Sequence, residues 1–298
     1  MALICEDLAR YGVVLVPPST PEYFDLLADI EQRLQNRPVG SSPIKNDAIS
    51  HIAEHDTSGS AILLNRAQVA IASIAYIWSF SGRNGRLFPG SFSPGTNPSV
   101  LLPFGLDDRI RKVQAFWNTI LPGSKRLITS NGSSFGDNTD VRPPAADELW
   151  HGSFVSIHGG SGSHDSQPVK LTLDGIFFVD GGFAGSNYLW SWECTVFAAE
   201  GYLNCAALAQ EARRHGTPPA EFFTQVQTLT GQMDERMPPP LHRPNLESGE
   251  PDPEPIRKYQ LQMVSRRMLD LRKRLGDEAA IAAIEAWADA PVPKFYKL

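Results

Sequence analysis

The sequence predicts an α+β fold, with a mainly antiparallel β-sandwich core between an N-terminal helix-strand-helix segment and C-terminal helices. Three observations carry this expectation. The run Val69–Phe80 (VAIASIAYIWSF) has seven β-branched or aromatic residues in twelve and is apolar on both alternating faces, as a strand packed between two layers must be. In the stretch 169–185, Val169, Leu171 and Leu173 alternate with Lys170, Thr172 and Asp174, and then Ile176–Val179 is apolar throughout. Finally, these strands are separated by Gly/Pro-rich loops without regularly spaced helices, which favours antiparallel over doubly wound parallel topology, whereas the last third is helical.

From the N-terminus, Leu3, Ile4, Leu8 and Tyr11 have helical spacing, Gly12 suits the position just past a helix end, and Val13–Val16 is a short strand stopped by Pro17 and Pro18. Thr20 can cap a helix that starts at Pro21, with Glu22 in its first turn and Phe24, Leu27, Ile30 and Leu34 as its apolar stripe. Residues 38–60 read as a connection, with at most a short helix near Ala48–Glu54. Gly82–Gly85 supplies a turn after the long apolar strand, and further strands are expected at 99–102, 125–129 and 153–158. One helix interrupts them: Asp107 or Asp108 caps it, Ile110, Val113, Phe116, Trp117, Ile120 and Leu121 line one face, and Pro122-Gly123 closes it.

Asp180-Gly181-Gly182 supplies a tight turn after the clearest strand. A helix over about 189–215 has Arg213, Arg214 and His215 in its last turn and Gly216 beyond, with Gly201 as its weak point. Thr217-Pro218-Pro219 starts another helix that ends near Gly231. Residues 238–255 hold seven prolines in eighteen positions and read as an extended linker or arm, after which a helix runs over about 254–275 and Gly276-Asp277 caps a last short one. The implied divisions are 1–57 (helix-strand-helix), 58–186 (sandwich), 187–237 (helical extension), 238–255 (linker) and 256–298 (amphipathic helices).

Composition narrows the function classes. With 27 basic and 33 acidic residues the formal charge is −6, and 42% of residues are apolar, so the chain is neither charge-rich and disordered nor a membrane bundle. No run of about 18 apolar residues is present to span a bilayer as a helix. The opening MALICEDLAR lacks the basic and apolar regions of a secretory signal, so the expected location is cytoplasmic. Cys5, Cys194 and Cys205 form no CxxC pair and read as free thiols. Neither G-x-G-x-x-G nor G-x-x-x-x-G-K-[ST] occurs, which disfavours the common nucleotide-binding enzymes, and no cofactor follows from the sequence.

Two strings have catalytic shapes. His51, Glu54 and His55 (HIAEH) match the H-x-x-E-H order, in which two histidines four apart on a helix ligate zinc and the glutamate activates its water. Over these five residues the chain resembles the pitrilysin-like metallopeptidases, which implies a zinc site. That family also needs a downstream glutamate and an anchored helix, whereas this string lies in a polar stretch and reads as a solvated loop or helix end. His158–Ser163 (HGGSGS) resembles the HGGG oxyanion loop of esterases, but no G-x-S-x-G nucleophile elbow accompanies it. His151, His158, His164 and Asp165 can bind a metal if neighbouring strands bring them together, because imidazole and carboxylate suit zinc or iron. Asp174 and Asp180 flank the apolar IFFV and read as turn and sheet-edge residues before a carboxylate pair.

The most interpretable surface is the helix after the linker. From Ile256 to Leu275 it carries seven basic residues, Arg257, Lys258, Arg266, Arg267, Arg272, Lys273 and Arg274, against one acid, Asp270. An apolar stripe of Ile256, Tyr259, Met263, Met268, Leu271 and Leu275 runs beside them. A basic amphipathic helix binds acidic protein, nucleic acid or a membrane surface, or docks on its own protein with its charges solvated. The net −6 disfavours nucleic acid. The expected function is a non-catalytic binding or assembly module whose C-terminal helix contacts a protein partner or a second subunit. The alternative is a metal-dependent hydrolase using His151, His158, His164 and Asp165.

Overall fold

The computed structural model describes residues 3–35, 59–81, 87–93, 101–102, 119–130, 134–136, 168–230 and 253–298. Its strands are β1 (Ile4–Glu6), β2 (Val13–Val16), β3 (Ser60–Asn65), β4 (Ile71–Ser81), β5 (Leu87–Ser93), β6 (Lys125–Thr129), β7 (Ser134–Gly136), β8 (Pro168–Phe178), β9 (Gly182–Ala184) and β10 (Tyr296–Lys297). Its helices are α1 (Pro21–Gln35), α2 (Ser191–His215), α3 (Pro219–Thr230), α4 (Glu254–Leu275) and α5 (Asp277–Glu285). The chain divides into two units: the strands with α1 form one, and α2–α5 form the other.

The strand unit is α+β, but the expected antiparallel β-sandwich does not form. One sheet is antiparallel, in the order β2-β3-β6-β7, and the other is six-stranded and mixed. In the mixed sheet β4 runs antiparallel to both β5 and β8, whereas β1 joins β8 in parallel (Ile4 opposite Lys170) and β10 joins β9 in parallel (Tyr296 opposite Gly182). Both parallel pairings use the chain's outermost described segments. Neither is reachable from local pattern, because a parallel partner requires a long crossover that leaves no turn signature. Residues 3–11, expected as a helix, instead form β1 and a 3₁₀ turn at Ala9–Tyr11, which Gly12 closes in the left-handed conformation (φ 78°).

The antiparallel sheet is covered on both faces, so every residue of β3 and β6 is buried. On one side Leu15, Ala61, Leu63 and Ile128 pack with Trp78, Leu171, Leu173 and Ile176 of the mixed sheet. On the other, Val16, Ile62, Leu64 and Leu127 meet Tyr23, Leu27 and Ile30 of α1. The buried side of α1 is thus turned from the expected stripe. Tyr23 is fully buried, with its hydroxyl 2.6 Å from Ser60 Oγ, while Phe24 is 54% exposed. Thr20 does not cap through its side chain as expected; its hydroxyl donates to the Pro17 carbonyl at 2.9 Å.

The long strand expected from Val69 to Phe80 is β4, 125–129 is β6, and 169–185 supplies β8 and β9. Residues 101–102 carry no strand, and Ile120, expected on a helix, instead makes an isolated antiparallel bridge to Ile71. Leu121, expected on the same helix, is exposed and not helical; the part of that helix before residue 119, the strand expected at 153–158 and the short helix near 48–54 lie outside the described residues.

In the helical unit, α2 passes unbroken through Gly201. A Cβ there would lie 3.0 Å from Leu261 Cδ2 and 3.2 Å from Val264 Cγ2, so α4 side chains pack directly against the glycine. Ala198, Ala199, Cys205, Ala206, Ala209 and Ala212 continue the buried small-residue face of α2. Short side chains bring helix axes together and increase dispersion contact.

Candidate functional site

The helix that carries the predicted basic residues, α4, is fixed by the packing of its apolar side. Ile256, Val264, Met268 and Leu271 are buried, Tyr259 and Met263 are half-buried, and Leu275 is 49% exposed. The stripe expected to include Leu275 therefore ends at Leu271 and takes in Val264. Its neighbours are α2, α3 and α5. That burial occupies the apolar face within the helical unit and decides where each cation points.

Three of the seven cations are used internally. Arg257 forms an ion pair with Glu200 and lies 5.9 Å from the centre of the Phe197 ring. Arg267 donates from Nη1 to the Tyr202 hydroxyl at 2.7 Å. Burial pushes the Tyr202 phenol up, and the Arg267 charge partly offsets this. Arg272 grips Asp277 with two bonds of 2.7 and 3.0 Å, and its guanidinium stacks 4.5 Å from the centre of the Phe223 ring. Hydrogen bonding to Arg272 holds the Asp277 carboxyl below its ordinary range. Planar, forked guanidinium groups suit such stacked and bidentate roles. These arginines tie α4 to α2, α3 and the start of α5.

The remaining four, Lys258, Arg266, Lys273 and Arg274, are exposed, with Asp270 as the exposed acid among them. At 1.5 Å per residue Lys258 and Lys273 are about 22 Å apart along the axis, and at 3.6 residues per turn Lys258, Arg266 and Lys273 fall within about 80° of one another around it. The result is a cationic strip on a rigid helix. It can attract carboxylates, with a field screened over about 8 Å at physiological salt.

The predicted metal set His151, His158, His164 and Asp165 lies outside the described residues, as do His51, Glu54 and His55. Among the described residues no group of three or more His, Cys, Asp or Glu is placed to hold a metal. Asp174 and Asp180 are not a pair acting on one site. Asp174 is the extra residue of a bulge, lying between the matches Ala75–Gly175 and Tyr76–Leu173, and accepts the Ser186 hydroxyl at 3.0 Å. Asp180 accepts the Gly182 N–H at 3.0 Å and the Tyr296 hydroxyl at 2.7 Å. The cysteines are free, and burial pushes the thiols up to about 12 at Cys5, about 11 at Cys194 and about 12 at Cys205, so none has thiolate character.

Two features had no prominent sequence signal. Trp190 enters α2 in the left-handed conformation (φ 57°), and Asn187 organises that turn by accepting the Trp192 N–H at 2.9 Å. Tyr296–Lys297 form a strand, although nothing in these two residues marks one. Among the described residues no helix is long and apolar enough to cross a membrane. Comparison with known proteins finds no family model, curated protein or solved structure that matches the chain.

Proposed function

We propose that this protein is a non-catalytic binding module that takes an acidic segment of a partner protein on the exposed face of α4. One observation carries the reading: the apolar stripe of α4 is buried in its own helical unit, yet Lys258, Arg266, Lys273 and Arg274 remain in water along one helix. Of the seven cations expected to contact a partner, these four are the contact residues, while Arg257, Arg267 and Arg272 hold the helix in place. Exposed ion pairs contribute about 0.2–1 kcal/mol each, so such a strip supports a weak, salt-sensitive association. The formal charge of −6 leaves the chain without the wide electropositive field that a nucleic-acid backbone needs, which argues against nucleic acid as the partner.

Fluorescence anisotropy of a labelled oligoglutamate peptide tests the reading, with single-stranded DNA of equal charge as the comparison. The expected result is peptide binding at low salt that is lost in the full-length quadruple variant Lys258→Glu, Arg266→Glu, Lys273→Glu, Arg274→Glu, whose far-ultraviolet circular dichroism is unchanged. Absence of binding by the wild type at low salt, or equal binding by the variant, overturns it. Tighter binding of DNA than of peptide overturns the choice of partner.

A further inference from the structure

We infer that the acidic segment taken by α4 is itself a helix, lying lengthwise along Lys258, Arg266 and Lys273 with its carboxylates seven and eight residues apart, a form of partner that presupposes the binding role proposed for this face. The three cations are separated by eight and seven residues, which on a helix is about 12 and 10.5 Å of rise. Within the roughly 80° sector that holds them, residues 258–273 place only Gln262 and the half-buried Leu269 besides. The buried Val264, Met268 and Leu271 centre about 150° away around the axis, so this sector is the side of α4 turned from its own core.

The backbone beneath the sector is held in place by its neighbours. Arg257 is paired with Glu200 of α2, Arg267 bonds the Tyr202 hydroxyl, and Arg272 is fixed by Asp277 and the Phe223 ring. The spacing of the cations is therefore set before a partner arrives, and a partner that matches it loses less freedom on binding.

A second helix matches that spacing because it has the same rise per residue. Running antiparallel, acids at i, i+7 and i+15 fall within about 80° of one another and meet Lys273, Arg266 and Lys258 together. An extended strand returns to the same face only every two residues, about 6.7 Å. With one acid on Lys258, its same-face positions fall at about 20 and 27 Å, whereas Lys273 lies at about 22 Å, so the third contact is off by roughly 2–4 Å. Long cationic stems bridge such a misfit only by giving up rotamer freedom. Leu269, between Arg266 and Lys273, offers the partner one apolar contact, and the rest of the attraction is ionic and screened by salt.

Three labelled, Ala-rich peptides of about 20 residues and equal charge test this against the full chain by fluorescence anisotropy at low salt. The first has glutamates at positions 2, 9 and 17 and a leucine at 6, so that all four share one helical face. The second has the same composition with its glutamates at 2, 7 and 12, on separate faces, and the third is the first with proline at position 10; circular dichroism checks that the first two are helical and the third is not. The first peptide binds about fivefold more tightly than either of the others, the difference expected from one or two exposed ion pairs. Arg266→Glu weakens its binding about fivefold, and lysine at position 9 of the peptide restores it. Arg274→Glu, about 100° from Lys273 around the axis, changes it less than about twofold.

Equal affinity for the three peptides, or equal losses in Arg266→Glu and Arg274→Glu, overturns the helical partner and leaves the strip as a reader of net charge. Binding of oligoglutamate but of none of the three does the same. If the wild type binds neither oligoglutamate nor any of the three, the binding role itself falls. The peptide series needs no protein variant, so it decides even if a substituted chain does not fold.

Discussion

Replacing Gly201 by alanine isolates the helix crossing that positions α4. In a solvent-exposed helix this change stabilises by about 1 kcal/mol, because alanine loses less backbone entropy on folding. At Gly201 the new methyl would sit 3.0 Å from Leu261 Cδ2 and 3.2 Å from Val264 Cγ2. Carbon atoms in good contact stand about 3.5–4.0 Å apart, so both neighbours must retreat by several tenths of an ångström. Leu261 is half-buried and can turn its terminal methyl, but Val264 is 1% exposed and is stiff at its β-branched side chain. Overpacking of a tight core costs about 1–3 kcal/mol, which outweighs the propensity gain and leaves a net destabilisation of about 1 kcal/mol. Urea unfolding followed by far-ultraviolet circular dichroism measures this as a lower midpoint at constant slope. The double variant with Val264→Ala makes room for the methyl, so it is more stable than the sum of the single effects by about 1 kcal/mol. Stabilisation by Gly201→Ala alone, or additivity within about 0.5 kcal/mol, refutes the close-approach argument.

Three further outcomes follow from the same geometry. Gly185→Ala combines φ +138° with a methyl 2.2 Å from the Asp174 carbonyl oxygen, a backbone atom that cannot turn away; a loss of more than about 4 kcal/mol is expected, read by thermal melting or as loss of soluble protein. Glu31 has a buried Oε1 without a hydrogen-bond partner, and burial raises its carboxyl pKa in the fold. The folded state then holds its proton more tightly than the unfolded state, so stability falls as pH rises from the unfolded carboxyl range through the raised folded value; Glu31→Gln is accordingly more stable than wild type at neutral pH and loses that advantage at pH values below the unfolded pKa, as paired melting curves will show. Alkylation by iodoacetamide at neutral pH, followed by intact mass, proceeds at Cys5, Cys194 and Cys205 more than about a hundredfold more slowly in the folded chain than in urea, because burial suppresses both thiolate and access.

The boundaries of α2, α3, α4 and α5 were legible because their signals act locally. Arg213–His215 before Gly216, Pro219 at the first position of α3, and Gly276 ahead of Asp277 act through dipole, φ restriction and chain reversal within a few residues. β4 was legible because burial on both faces demands a nearly continuous apolar run, and β8 because Val169, Leu171 and Leu173 alternate with polar residues before the apolar 176–178. β1 was misread because Leu3, Ile4, Leu8 and Tyr11 fit a helical stripe as well as they fit a strand, and the choice was made by β8. The Glu6 carboxylate accepts from Thr172 Oγ1 across 166 positions. The cationic residues of α4 were all visible, but their division into three structural arginines and four exposed cations was not, since Glu200, Tyr202, Phe223 and Asp277 lie on other elements or beyond the helix end.

By itself the sequence determined an α+β chain with a strand-rich body, a helical last third and a helix of strongly basic character. Backbone stereochemistry and side-chain periodicity need no distant partner to act. Tertiary structure alone decided that β1 and β10 pair in parallel, that α1 buries Tyr23 in place of Phe24, that Gly201 is a crossing point and not a break, and which cations of α4 remain in water. Each of those outcomes depends on which surfaces meet, and residues separated by scores or hundreds of positions meet only once the chain has folded.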